Sequence, residues 1–173
     1  MSLSNNTCDF EHLKSIIAFD TPLVLFDKIA KLFSYSKVTI QDKKAAYDAI
    51  NYPIKKIAYS RKSYLPQNAI DSLFGYKKAL EDNGISYYSS IVFVGDNSTD
   101  FWDGYDNDTK VIDKQLEIVA IFAVTDLMVT GIIKYFNKTG ISIPQWIAVL
   151  GSNNWFMSSL LSPKLLTIDQ PVF

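Results

Sequence analysis

Four short stretches carry side chains able to hold a small polar ligand: Ser60–Asn68, Gly95–Thr99, Thr125-Asp126 and Ser152–Asn154. Asp27 belongs to the same class, and Trp102 and Trp155 lie close by in sequence. Hydroxyls, amides and carboxylates donate to and accept from ligand hydroxyls. The same residue types also cap helices, so their position must separate the two uses. Chemistry beyond binding has little to work with. His12 is the only imidazole and Cys8 the only thiol, too few for most zinc sites. The seven glycines are scattered singly, so there is no GxGxxG or GxxxxGK[ST] phosphate loop, and no GxSxG elbow. Asp103, Asp106 and Asp108 are expected on a solvated helix face, with nothing apolar beside them to shift a pKa. No nucleophile–base pair is present, so neither an enzyme nor a cofactor is expected.

These loops need elements to position them. A chain of 173 residues with 48% apolar and 20% charged residues is one globular domain. Short apolar runs at 56–60, 90–94, 118–124, 146–150 and 165–169 read as strands. Between them lie helix patterns at 69–82, from about 100 to 116, and at 126–138. Asn68 is the expected N-cap of the first, with Asp71 three residues on as a capping-box partner. Thr125 is the expected cap of the third, and Gly84 and Gly140 punctuate the ends. Strands alternating with helices imply an α/β fold, a Rossmann-like parallel sheet flanked by helices. The N-terminal third is less regular: helix over 10–19, strand over 22–26, a turn at 29–32, extended 38–40, helix over 44–52. In open α/β sheets, ligands bind beyond the carboxyl ends of the strands. That rule gathers Asp27, Asn68, Thr99, Thr125 and Asn153 around one crevice.

Seventeen Lys and Arg against eighteen Asp and Glu leave a net charge of −1. The basic residues fall in pairs, Lys43-Lys44, Lys55-Lys56 and Arg61-Lys62, with acids between them. No basic footprint for nucleic acid or an anionic membrane results. The uncharged stretch 139–163 contains Pro144, Gln145, Asn153 and Asn154 and fails as a membrane span. The first twenty residues carry acids where a signal peptide needs an apolar run. A cytoplasmic protein is expected.

Several segments then fall into a familiar order. They are PLVLFD at 22–27, the stretch 45–59, SLFGYKKALEDNGI at 72–85, AIFAVTDLMVTG at 120–131, ISIPQWIAVLGSNN at 141–154 and SPKLLTIDQP at 162–171. Together they resemble the effector-binding core of the LacI/GalR family of bacterial transcription regulators, with its R-x-x-GY, AIFAxND, IP-x-DIAVIGFDN and SP-x-LTT-x-x-QP. The resemblance implies a type I periplasmic-binding-protein-like fold with an incomplete N-subdomain. Residues 1–40 map to the N-subdomain remnant, 41–168 to the C-subdomain and 169–173 to the start of a crossing segment. It implies a small polar, sugar-like effector held by Asp27, Asn68, Ser72, Thr99, Thr125 and Asn153. It also implies a truncated regulator without the helix-turn-helix, making no DNA contact of its own. The departures are specific. The family's clamping arginine falls on Ser72, its Asn before Asp on Thr125, its Asp in GFDN on Asn153, and the Asp of its V-x-x-DN on Gln41. A weakened grip on simple sugars follows, because a serine hydroxyl does not replace a guanidinium fork. The resemblance places a subunit contact after the strand at 146–150. There Met157 and Leu161, spaced one helical turn apart, are expected to join the exposed face of helix 126–138 in a homodimer, or in a heterodimer with a full-length relative. The alternative reading is a small-molecule carrier of periplasmic-binding type that does not bind DNA.

Overall fold

Apolar runs too short for helices become strands, and the amphipathic stretches between them fold back over the sheet. The computed structural model describes residues 9–19, 21–26, 29, 35–39, 41–50, 56–61, 67–95, 100–113 and 117–169. The elements in chain order are α1 (Glu11–Ala18), β1 (Val24–Phe26), β2 (Ser36–Val38), α2 (Asp42–Ile50), β3 (Ile57–Arg61), α3 (Gln67–Asp82), β4 (Val92–Val94), α4 (Asp100–Asp113), β5 (Ala120–Ala123), α5 (Asp126–Thr139), β6 (Ala148–Ser152) and β7 (Leu166–Ile168). Single 3₁₀ turns precede β4 (Ser89–Ile91) and follow β6 (Phe156–Leu160). The expected turn at 30–32 lies outside the described residues.

Five parallel strands form one sheet in the order β4-β3-β5-β6-β7. The four segments expected to share a sheet do so. Central β5 is buried along its whole length, because both of its faces are covered. Ile121 and Ala123 pack toward Met128, Val129 and Ile132 of α5. Ala120 and Phe122 pack toward Ala46, Tyr76 and Leu80 of α2 and α3. A continuous apolar run is the signature of a strand buried on both faces. A separate two-stranded parallel sheet, β1-β2, lies within residues 1–40, with Leu13 of α1 packed on Leu25.

Two helix pairs close on glycines. A Cβ on Gly104 would meet the Met128 carbonyl at 2.0 Å, and one on Gly131 would meet the Phe101 carbonyl at 2.0 Å, so α4 and α5 cross backbone to backbone. Gly75 does the same for α3 against Lys43 of α2.

Some boundaries differ from the sequence reading for local reasons. Trp146 is not in a strand: its amide closes a turn onto Ser142 O at 3.0 Å, and pairing begins at Ala148 opposite Ala120. The helix expected to start after Asn68 starts at Gln67 instead. Asn68 Oδ1 accepts from the adjacent Ala69 amide at 3.0 Å, and Asp71 Oδ1 accepts from Gln67 Nε2 at 2.7 Å. The buried Gln67 thus takes the carboxylate that a capping box would have used. At α5 the expectation holds. Thr125 accepts from the Met128 amide at 3.2 Å, and Gly140 ends the helix with φ 75°.

Candidate functional site

The strand order reverses once. From β3 the chain moves outward to β4, then returns to place β5 on the other side of β3. The crevice beyond the carboxyl ends of β3 and β5 is therefore the topological switch point. Backbone bonds lock its floor: Val124 N donates to Ser60 O at 3.1 Å, and Gly95 N to Arg61 O at 2.8 Å.

Thr125 stands at this point, but its hydroxyl is engaged. It accepts from Met128 N and donates to Asp100 Oδ2 at 3.1 Å, which ties the starts of α4 and α5 together. Asn153, beyond β6, is exposed, and its backbone is held by donation to Ile168 O at 3.1 Å. Asn153 and Asn154 have φ of 102° and 44°, left-handed values that asparagine tolerates better than most residues. Asn68 and Ser72 are half-buried on the first turns of α3, at the carboxyl end of the sheet. Asp27 and Thr99 lie outside the described residues.

Four charged residues near the crevice are buried, Asp42, Arg61, Asp103 and Asp126, and the sequence reading missed this. Asp126 is 1% exposed and accepts from Trp155 N at 2.8 Å, Ser158 Oγ at 2.6 Å and Thr167 Oγ1 at 2.6 Å. It is a structural hub joining α5, the 3₁₀ turn and β7. Its signal was its place directly after a helix cap. Asp103, expected to be solvated, is buried against Gly95, where a Cβ would meet its Cγ at 2.3 Å. Arg61, read as half of a basic pair, is 0% exposed. Strand parity was the available signal, since Arg61 shares a face with Ile57 and Tyr59, both packed under α2 and α3.

Around Arg61 the site is polar. Its Nη1 lies 3.5 Å from Ala69 O in the first turn of α3. The buried Tyr59 ring stacks on Tyr76 at 4.9 Å. Its hydroxyl stands beside Ser72. Burial pushes the Tyr59 hydroxyl well above the ordinary tyrosine value; Arg61 and Ser72 oppose that shift and Asp42 adds to it. The Ser60 hydroxyl, on the opposite face of β3, is buried and has no hydrogen-bond partner among the described residues. An open cleft of about 520 Å³ lies at the first turns of α2 and α3, lined by Gln41, Asp42, Lys43, Lys44, Tyr47 and Asp71. Among the described residues, no group of three or more His, Cys, Asp and Glu is placed to hold a metal. No described helix is long and apolar enough to cross a membrane.

A sequence model of the periplasmic binding protein-like domain matches residues 53–172, a range that spans β3 to β7. This chain belongs to the family of periplasmic binding protein-like domains. Within that family it is similar to the HTH-type transcriptional regulator RegA of Clostridium acetobutylicum, 40% identical over 147 residues, covering 81% of this chain and 43% of RegA. In fold it resembles the transcription regulator CcpA of Lactococcus lactis, with a TM-score of 0.85 at 22% identity over 98% of this chain and 61% of that one. It also resembles a sugar-binding LacI-family regulator from Escherichia coli, with a TM-score of 0.81 at 20% identity over 97% and 62% of the two chains. The chain spans about half the length of the curated relatives it matches.

The segment after β6 differs from its expected form. Met157 and Leu161 are not one α-helical turn apart. The segment is a 3₁₀ turn ending at Leu160, and Leu161 is extended with φ −72° and ψ 151°. Leu161 packs on the core, whereas Phe156 and Leu160 are each 70% exposed. The tighter 3₁₀ spacing and the pull of Asp126 on Trp155 and Ser158 turn the segment that way.

Proposed function

We propose that this chain is the effector-binding and dimerisation portion of a LacI-type transcriptional regulator, working in the cytoplasm and responding to a small polar, sugar-like ligand. The family match across residues 53–172 carries the reading, because it covers every strand end that borders the crevice. Asn68, Ser72, Thr125 and Asn153, with Asp27 and Thr99, are the effector-side positions in this proposal. Thr125 serves as a brace between α4 and α5 rather than as a free hydroxyl. The chain makes no DNA contact itself. It pairs with a second copy, or with a longer relative, through the surface after β6 next to Met157. Isothermal titration with glucose, galactose, maltose and cellobiose tests the effector role. Saturable binding of one sugar supports it, and no heat from any of them, together with an unchanged melting temperature, refutes it. A catalytic turnover of any of these sugars would refute the non-enzymatic assignment.

A further inference from the structure

The sheet is covered unevenly on its α2 side. Parallel sheets in α/β folds carry helices on both faces, and here α2 and α3 pack over β3 and β5. Beyond them the cover thins. Ala148 and Leu150 of β6 are only partly buried, and Leu166, the first residue of β7, is 59% exposed. These side chains stand in two rows across the strands. One row runs Ile57, Ala120, Ala148 and the other Phe122, Leu150, Leu166, each residue paired in register with the next. The LacI/GalR pattern SP-x-LTT has a threonine at the position of Leu166, so this chain replaces a hydroxyl with an alkyl group there.

The first row is shallow. Ala120 and Ala148 each end in a methyl group, and so does Ala49, which lines the same space from α2. The helix stops one residue later, at Ile50. Three small side chains and a helix end leave a recess of about 220 Å³. Its wall is hydrocarbon: among the described residues, no charged, amide or hydroxyl side chain lines it. Ile57, Ala120, Ala148 and Leu166 each begin their strand, so the recess lies toward the amino ends of the sheet. The polar crevice lies beyond the carboxyl ends, and the two are separate.

We propose that this recess is a second binding site, which takes one small uncharged aromatic molecule. Size and polarity set the ligand class. An apolar cavity of about 150 Å³ stays dry and admits one benzene ring. A recess of about 220 Å³ therefore suits a fused pair of rings. The two alanine methyls of the first row form a low floor for a flat ring, and Phe122 and Leu150 of the second row stand higher beside it. A charged or hydroxyl-rich ligand would give up its water and find no side-chain partner here, which is unfavourable. The sugars expected in the crevice are thus the wrong chemistry for this site, and the proposal stands independently of the effector reading.

The test titrates the whole chain, with carbon-13 labels on its alanine methyl groups, against naphthalene and against 1-naphthoate, its charged analogue. Naphthalene should bind saturably, shift the Ala120 and Ala148 methyl signals and raise the melting temperature, as any ligand of the native state does. 1-Naphthoate should bind about tenfold or more weakly, for want of a partner for its carboxylate. Ala148→Leu fills the recess from the sheet, so it should weaken naphthalene binding by about tenfold or more while the melting temperature stays level or rises. Ala49→Leu fills it from the helix and should act alike; it decides the matter if Ala148→Leu does not fold. The proposal is overturned if naphthalene gives no saturable shift at these methyls, if 1-naphthoate binds as tightly, or if both folded variants keep wild-type affinity. It is overturned too if neither variant folds, since protein packing then fills the space. A dimer that Ala148→Leu dissociates also overturns it, because a second copy then covers the recess.

Discussion

Asp126 uses both carboxylate oxygens on three donors from two later segments of the chain. Hydrogen bonds to a charged group are individually strong, and each donor stripped of its buried acceptor adds a desolvation penalty. Asp126→Ala should therefore lower unfolding free energy by on the order of 3–5 kcal/mol, read as a lower urea midpoint. Asp126→Asn, which keeps one acceptor oxygen, should lose less than half of that. Two buried tyrosines set a second residue-scale expectation. Burial raises the hydroxyl pKa of both Tyr59 and Tyr76 above the ordinary value near 10. The unfolded chain releases those protons near pH 10 while the native state retains them, so above that pH the fold binds more protons and stability falls as pH rises. Below about pH 9 the two groups contribute no slope. The urea midpoint should decline steeply from about pH 10 upward, and Tyr76→Phe should remove one proton's share of the slope. A midpoint indifferent to alkali would contradict the burial of these hydroxyls.

Elements in this chain are placed by glycines as much as by apolar stripes. Gly131 and Gly104 let α4 and α5 touch backbone to backbone. Gly131→Ala puts a methyl group 2.0 Å from the Phe101 carbonyl, so the helices must separate. A loss of about 1–3 kcal/mol is expected from such overpacking, with far-UV circular dichroism retained. Gly140→Ala meets no neighbour but sits at φ 75°, so it should cost about 1 kcal/mol through backbone strain alone. The periodicities that announced α3, α5 and the five strands were legible because each element has an apolar face of the right period. Strand ends were less legible: β6 begins two residues later than its apolar run, since pairing with β5 rather than hydropathy sets where it starts. The site was half legible. Polar loop residues pointed to the crevice, but Thr125 proved to be a brace. Asp103 looked solvated, Arg61 half of a basic pair and Asp126 a ligand group, because nothing in a charged residue's identity reports the partner that buries it.

For the molecule as a whole, Phe156 and Leu160 are among the most exposed apolar side chains. Phe156 and Leu160 lie on the 3₁₀ turn that Asp126 fastens to the start of α5, with Trp155 half-exposed beside them. Aromatic and aliphatic side chains clustered this way are typical of interface centres. The wild type should sediment as a dimer, and Phe156→Lys with Leu160→Glu should give a folded monomer, because neither side chain contributes to the core. A wild type that is already monomeric would refute the contact. The charge balance sets the other whole-molecule expectation. At a net charge of −1, the chain should not retard duplex DNA in a salt-dependent way, since both specific and non-specific binding depend on phosphate neutralisation.

The bond from the Trp155 amide to Asp126 has a kinetic consequence. The turn it opens is five residues long and largely solvent-facing, so its amides should exchange with deuterium by small local openings. The Trp155 amide is anchored instead to a carboxylate that also holds Ser158 and Thr167. It can exchange only when that carboxylate lets go, which means freeing the start of α5 from β7. This one amide should therefore keep time with the sheet interior, a slow proton at the edge of a fast segment.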